Sequence, residues 1–250
     1  MSRVDLFNSV TITVEGTSDE YNTFDDWDLY ITNTDIIGEP KQSTKYIEVP
    51  GRDGLLDLST VISGRIIYTS REIKIQLAGA RDKTTWNPAL SILRNHINGK
   101  VCHFVFDDDP NYFWRGRVDI KDFSSALDLG KLTINIPTAD PYKYSVKSSA
   151  EPWLWDPFNF TTDYITYIGA VTISESGSIT IPHGHMPTCP DIVVSDKTST
   201  DFTLTYGGST YYLSVGTNKI PSVMVGGDFD ATLAFTGSAK VQIVYRGGSL

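Results

Sequence analysis

Asp201-Phe202-Thr203-Leu204-Thr205-Tyr206-Gly207-Gly208-Ser209-Thr210-Tyr211-Tyr212-Leu213-Ser214-Val215 decides the fold class of the chain's second half. Two runs rich in β-branched and aromatic residues flank a pair of glycines. That is the pattern of a hairpin, because two glycines tolerate the positive φ of a tight turn. Outward from it, strand-like runs cover residues 164–173, 178–181, 191–195, 219–225, 231–235 and 241–245. Short strands at even spacing, with Gly, Asn and Ser between them, predict a β-sandwich or jelly roll.

Upstream the composition changes. Residues 1–143 hold 16 Lys/Arg and 21 Asp/Glu, whereas residues 144–250 hold 5 and 9. The change follows Asp140-Pro141-Tyr142-Lys143-Tyr144. A domain boundary is therefore expected there, with one domain over 1–144 and another over 145–250.

The first half reads as β with one main helix. Thr11-Ile12-Thr13-Val14 and Glu72-Ile73-Lys74-Ile75-Gln76-Leu77 alternate as half-buried strands do. Further strand-like runs are 27–32, 45–49, 65–68, 101–106, 113–120 and 131–136. Trp86, Leu90, Leu93 and Ile97 recur at spacings of four, three and four, which predicts a helix near 85–98 with one apolar stripe. Thr84 or Thr85 is the expected cap, Pro88 falls in the first turn of such a helix, and Gly99 can end it. A lone amphipathic helix among strands has to lie on a sheet.

Net charge −9 and a pI near 4.8 argue against nucleic-acid or anionic-membrane affinity, which need a positive field. Cys102 and Cys189 lack the density of a disulfide scaffold and read as reduced and buried. The first ten residues contain no uninterrupted apolar stretch of the kind a signal peptide uses, and no run approaches the ~18 residues of a membrane span. The chain is expected to be made and folded in a cytoplasm.

Catalytic patterns are missing from the sequence: no nucleophile elbow, His-Glu-x-x-His or phosphate loop occurs. His183, His185 and Cys189 have zinc-like donor types, yet a fourth ligand is not evident and Pro182 and Pro187 suit an ordinary connection. Asp107, Asp108 and Asp109, followed by Pro110-Asn111, carry oxygen donors suited to Ca²⁺. Their spacing fits a turn between strands better. No metal, cofactor or catalytic residue is expected. Trp153 and Trp155, in Trp153-Leu154-Trp155-Asp156-Pro157-Phe158-Asn159-Phe160, are candidates for stacking on sugars, against packing of a linker.

Tyr46-Ile47-Glu48-Val49-Pro50-Gly51-Arg52-Asp53-Gly54-Leu55-Leu56-Asp57-Leu58 carries a further signal. With Asp107-Asp108-Asp109-Pro110-Asn111-Tyr112-Phe113-Trp114-Arg115-Gly116-Arg117, the 140–144 stretch and the ending Tyr245-Arg246-Gly247-Gly248, it resembles the distal tail (Dit) proteins of siphophages, in the same order. The stretch from Ser174 to Pro190 departs from that pattern. The resemblance implies an N-terminal belt domain related to tail-tube proteins and a C-terminal galectin-like sandwich. It implies a homo-hexameric ring joining the tail tube to the tail-tip or tail-associated protein, docking receptor-binding proteins, and passing DNA through its lumen. The protein would reside in the virion, at the distal tail or baseplate. Galectin sugar-binding residues find no match here.

Two placements follow from that role. Arg52 and Asp53, on a tight loop, are candidates for contact between subunits, where Arg is enriched, against a self-contained turn in which Asp53 bonds its own backbone. A lumen that passes DNA is better lined by carboxylates than by Lys and Arg, which would bind phosphate. Asp25, Asp26 and Asp28, or Asp107, Asp108 and Asp109, are the candidates. Two other classes compete: a cell-wall carbohydrate-binding module resting on Trp153 and Trp155, and a tail-associated hydrolase.

Overall fold

A computed structural model of the 250-residue chain describes residues 8–61, 63–80, 83–126, 129–151 and 168–250. It divides into two compact units, Met1–Lys143 and Tyr144–Leu250. Among the described residues both are built from antiparallel strands, with one helix in the first.

In the first unit the strands are β1 (Val10–Val14), β2 (Glu20–Asn22), β3 (Tyr30–Ile31), β4 (Gln42–Ser43), β5 (Tyr46–Glu48), β6 (Leu55–Asp57), β7 (Ile67–Tyr68) and β8 (Arg71–Ala80). Helix α1 (Lys83–Ile97) follows, then β9 (Val101–Phe106), β10 (Tyr112–Arg117), β11 (Asp119–Ala126) and β12 (Leu129–Ala139). One sheet runs β2-β1-β9-β10 within this unit, and a second runs β11-β12-β8-β3. Alternation fixes which side is buried: Val10, Ile12 and Val14 of β1 face the same core as Phe104 and Phe106 of β9. Ile73, Ile75 and Leu77 of β8, with Leu132, Ile134 and Ile136 of β12, close it from the other sheet.

Helix α1 buries the stripe expected of it, since Trp86, Leu90, Leu93 and Ile97 all lie in that core. Its start differs from the sequence expectation. The helix begins at Lys83, so Thr84 and Thr85 lie inside its first turn, and Pro88 is its sixth residue, beyond that turn. Pro88 there cannot donate to the carbonyl of Thr84, a cost offset by the four buried side chains. Two strand readings also change. Residues 24–27 form turns, leaving only Tyr30–Ile31 as strand from the 27–32 run. The 113–120 run breaks at Val118, which is buried and donates its N–H to the Lys100 carbonyl at 3.0 Å while the chain crosses between sheets.

The second unit contains β14 (Val171–Ile173), β15 (Ser176–Ile181), β16 (Asp191–Ser195), β17 (Thr203–Tyr206), β18 (Ser209–Tyr212), β19 (Gly216–Lys219), β20 (Ala231–Thr236) and β21 (Ala239–Val244). The short β13 (Lys143–Ser145) and β22 (Gly248–Ser249) flank the set. Sheets β14-β21-β16-β19 and β15-β20-β17-β18 share one apolar core, which includes Ile192, Leu204, Leu233, Ile243 and the stacked rings of Phe202 and Phe235. The hairpin that decided the fold class pairs Tyr206 with Ser209, and Gly207 and Gly208 take φ of +57° and +80° as a two-residue primed turn demands. Of the expected 219–225 strand, only Lys219 lies in a strand. Val225 instead bridges Thr188 of the 182–190 connection, with N–H···O distances of 2.8 and 2.9 Å.

Candidate assembly surface

Residues 41–69 form an arm with no core of its own. At its base Thr69 donates N–H and hydroxyl to the Lys41 carbonyl, at 2.8 and 3.1 Å, and β4 pairs with β7. Further out, Leu58 N–H reaches Lys45 O at 2.8 Å, and β5 pairs with β6 through Tyr46↔Asp57, Ile47↔Leu56 and Glu48↔Leu55. The Val49-to-Gly54 turn closes the tip, with Gly51 and Gly54 at φ near +80° and Arg52 N–H donating to Val49 O at 3.1 Å. Two donors of Ser59, its hydroxyl and its N–H, hold the Asp57 carboxyl below its ordinary range.

None of the described residues between Lys41 and Thr69 is buried, and none joins the first unit's apolar core. Yet the arm carries Tyr46, Ile47, Leu55, Val61 and Ile67, with Val61 68% and Leu55 60% exposed. A two-stranded ladder is marginal by itself in water, and scattered single apolar residues are ordinary on a surface. Five exposed large apolar residues on one coreless arm are more than scattered singles, which makes the arm the candidate assembly surface. The sequence reading singled out Arg52 and Asp53 at its tip and missed the apolar residues behind them. Their signal was a strand pattern with no second apolar element to cover it. Arg52 and Asp53 are both exposed, and Asp53 makes no hydrogen bond to its own backbone.

The two aspartate clusters differ in how their carboxylates are engaged. Asp107 accepts hydrogen bonds from the N–H and hydroxyl of Ser9 at 2.8 and 2.7 Å, and Asp109 pairs with Lys143 at 2.6 Å. Asp108 is exposed and makes no such bond among the described residues. In the other cluster Asp26 accepts from Asn22 N–H at 2.7 Å, Asp25 is exposed, and Asp28 takes φ +51° beside the buried Trp27. The clusters are thus partly architectural, stitching the 107–109 turn to Ser9 and Lys143.

His183 Nδ1 lies 2.9 Å from Asp230, and the pairing holds the Asp230 carboxyl below its ordinary range. Cys189 Sγ donates to the Ile220 carbonyl at 3.2 Å. Among the described residues no group of His, Cys, Asp and Glu is arranged to hold a metal. Both cysteines are free thiols; Cys102 is buried, and Cys189 is only half-buried, a departure from the expectation for it. Trp153 and Trp155 lie outside the described residues. Among those residues no helix is long and apolar enough to cross a membrane.

No family model matches the chain, and no curated protein matches it. Its fold does have a counterpart among solved structures. The crystal structure of the Dit protein (gp 19.1) of phage SPP1, described as a paradigm of the hub adsorption apparatus in phages infecting Gram-positive bacteria, is similar over 95% of this chain and 98% of that one, with a TM-score of 0.58 and 12% sequence identity. The chain therefore has the fold of a phage Dit protein.

Proposed function

We propose that this chain is a non-enzymatic structural protein of a siphophage tail, a distal tail hub. Its first unit, as a belt domain, assembles into a homo-hexameric ring that continues the tail tube and meets the tail-tip protein. Its second unit, as a galectin-like sandwich, offers a platform for receptor-binding proteins. The observation that carries this reading is the arm of residues 41–69, an exposed apolar ladder on a chain with the fold of SPP1 Dit. A surface of that kind needs a protein partner, and a ring supplies one from the next copy. Arg52 and Asp53 then sit at the contact between subunits. DNA passes through the lumen, and exposed carboxylates such as Asp25 and Asp108 keep its backbone from adhering.

The test is mass in solution, by light scattering and native mass spectrometry, with negative-stain images of the same sample. Six-fold rings are the expected outcome. A chain that stays monomeric at tens of micromolar overturns the reading. A monomer that binds cell-wall glycans would instead favour a carbohydrate-binding module.

A further inference from the structure

The first unit contains a pocket beside α1 whose properties complement the arm. It is lined chiefly by Trp27, Leu29, Trp86, Leu90, Leu93 and Leu132, and encloses about 170 Å³. That is below the ~300 Å³ at which small-molecule sites begin. It is close to the ~150 Å³ that holds one benzene. The space suits a single apolar side chain. Ile92, 53% exposed, and Asp26 also line it. The buried indole N–H of Trp86 finds no acceptor among the described residues, although buried tryptophans usually have one.

We propose that this pocket seats Ile47 from the arm of a second copy of the chain. The inference rests on the ring reading above and names its contact. The arm offers two faces. Tyr46, Glu48, Leu55 and Asp57 share one, and the cross-strand pair Ile47 and Leu56 shares the other. Laying the first face over the pocket sets Glu48 and Asp57 against Asp26, like charge against like. The second face brings two aliphatic side chains and no carboxylate. With that face down, Lys45, two residues before Ile47 and on the same side of the ladder, is the arm's nearest cation for Asp26, so charge and apolarity select the same orientation. Arm and pocket are different patches of one molecule, and such head-to-tail contacts generate rings when the rotation closes.

The full chain carrying Ile47→Cys and Ile92→Cys, in a Cys189→Ser background, tests this under mild oxidation. Head-to-tail contact gives a ladder of covalent species beyond dimer on a non-reducing gel, while either single variant stops at dimer. In parallel, Ile47→Asp should raise the concentration for half-assembly at least tenfold and leave the melting temperature of the subunit unchanged. Tyr46→Ser, on the opposite face, should alter assembly less than twofold. Rings that form normally without the ladder, or that tolerate Ile47→Asp, overturn the pocket contact and leave the hub reading standing. Monomers at every concentration overturn both.

Discussion

The indole of Trp86 occupies the space that a side chain at Gly130 would need. A Cβ there would lie 2.3 Å from Trp86 Cζ2 and 2.4 Å from Cε2. The bare backbone of β12 is thus the seat of the helix's largest apolar side chain. Gly130→Ala should destabilise the first unit by about 1–3 kcal/mol through overpacking, read from urea unfolding. Most of that loss should vanish in a Trp86→Leu background, because the two sites are in contact and their effects are not additive. An equal loss in both backgrounds would place the cause elsewhere.

Arg71 is 5% exposed, and its Nε and Nη2 find no hydrogen-bond partner among the described residues. Its guanidinium lies 4.5 Å from the centre of the Trp114 ring, and burial pushes its pKa down. A desolvated cation is costly, and here the attraction of Glu39 offsets burial only in part, so an apolar residue of similar length should be neutral or stabilising. Arg71→Met should therefore leave the subunit as stable or more so in thermal denaturation. A clear loss would mean that the stacking on Trp114 outweighs desolvation.

Burial pushes the Cys102 thiol up to about 11. The native thiol should stay unreactive toward an aromatic disulfide reagent at pH 8, with the half-buried Cys189 accounting for whatever reacts before denaturation. The folded state holds this proton to higher pH than the unfolded chain, whose value is near 9.0. Its contribution is complete below 9 and is lost as pH rises toward 11. Cys102→Ala should flatten that alkaline decline in a stability–pH profile.

Arg115 Nε and Nη2 grip Glu15 in a bidentate pair at 3.0 and 2.9 Å, and this holds the Glu15 carboxyl below its ordinary range. A depressed carboxyl stabilises above its unfolded value near 4.5 and loses that contribution as pH falls. Both side chains are more than a third exposed, so screening limits the effect to ~1 kcal/mol or less. Glu15→Gln should shallow the acid limb of the profile, and ~1 M salt should erase most of the difference.

A ring of the proposed kind should pass over immobilised double-stranded DNA without retention at low salt. Asp25→Lys or Asp108→Lys should cause retention only if that residue faces the lumen and the DNA can thread it. Wild-type rings that hold DNA would contradict a carboxylate-lined passage.

Much of this fold was legible from local pattern. The Trp86, Leu90, Leu93 and Ile97 stripe, the alternation in β1, β8 and β9, and the Gly207-Gly208 turn each follow from a period or a backbone demand that a few neighbouring residues set. The failures have a common cause. Val118 reads as mid-strand because its neighbours on both sides are strands; that they belong to different sheets is decided by Lys100 and the core. The 219–225 run has strand composition, but Val225 spends its backbone bonds on Thr188, far away in sequence. At the candidate surface, Arg52 and Asp53 stood out because the loop is short and glycine-bounded. That Tyr46, Ile47 and Leu55 stay uncovered depends on where the rest of the chain goes, which no local pattern records.

Both strands of the arm are edges, and such edges invite indiscriminate strand addition in a crowded cell. Lys45, Glu48, Arg52, Asp53 and Asp57 break up the apolar run along it, and Pro50 removes one backbone donor near the tip. Opposite charges spaced this way deter amyloid-like stacking of identical arms while leaving the Ile47 side free of carboxylates. The dozen residues that leave the arm uncovered therefore also limit its pairing with identical arms.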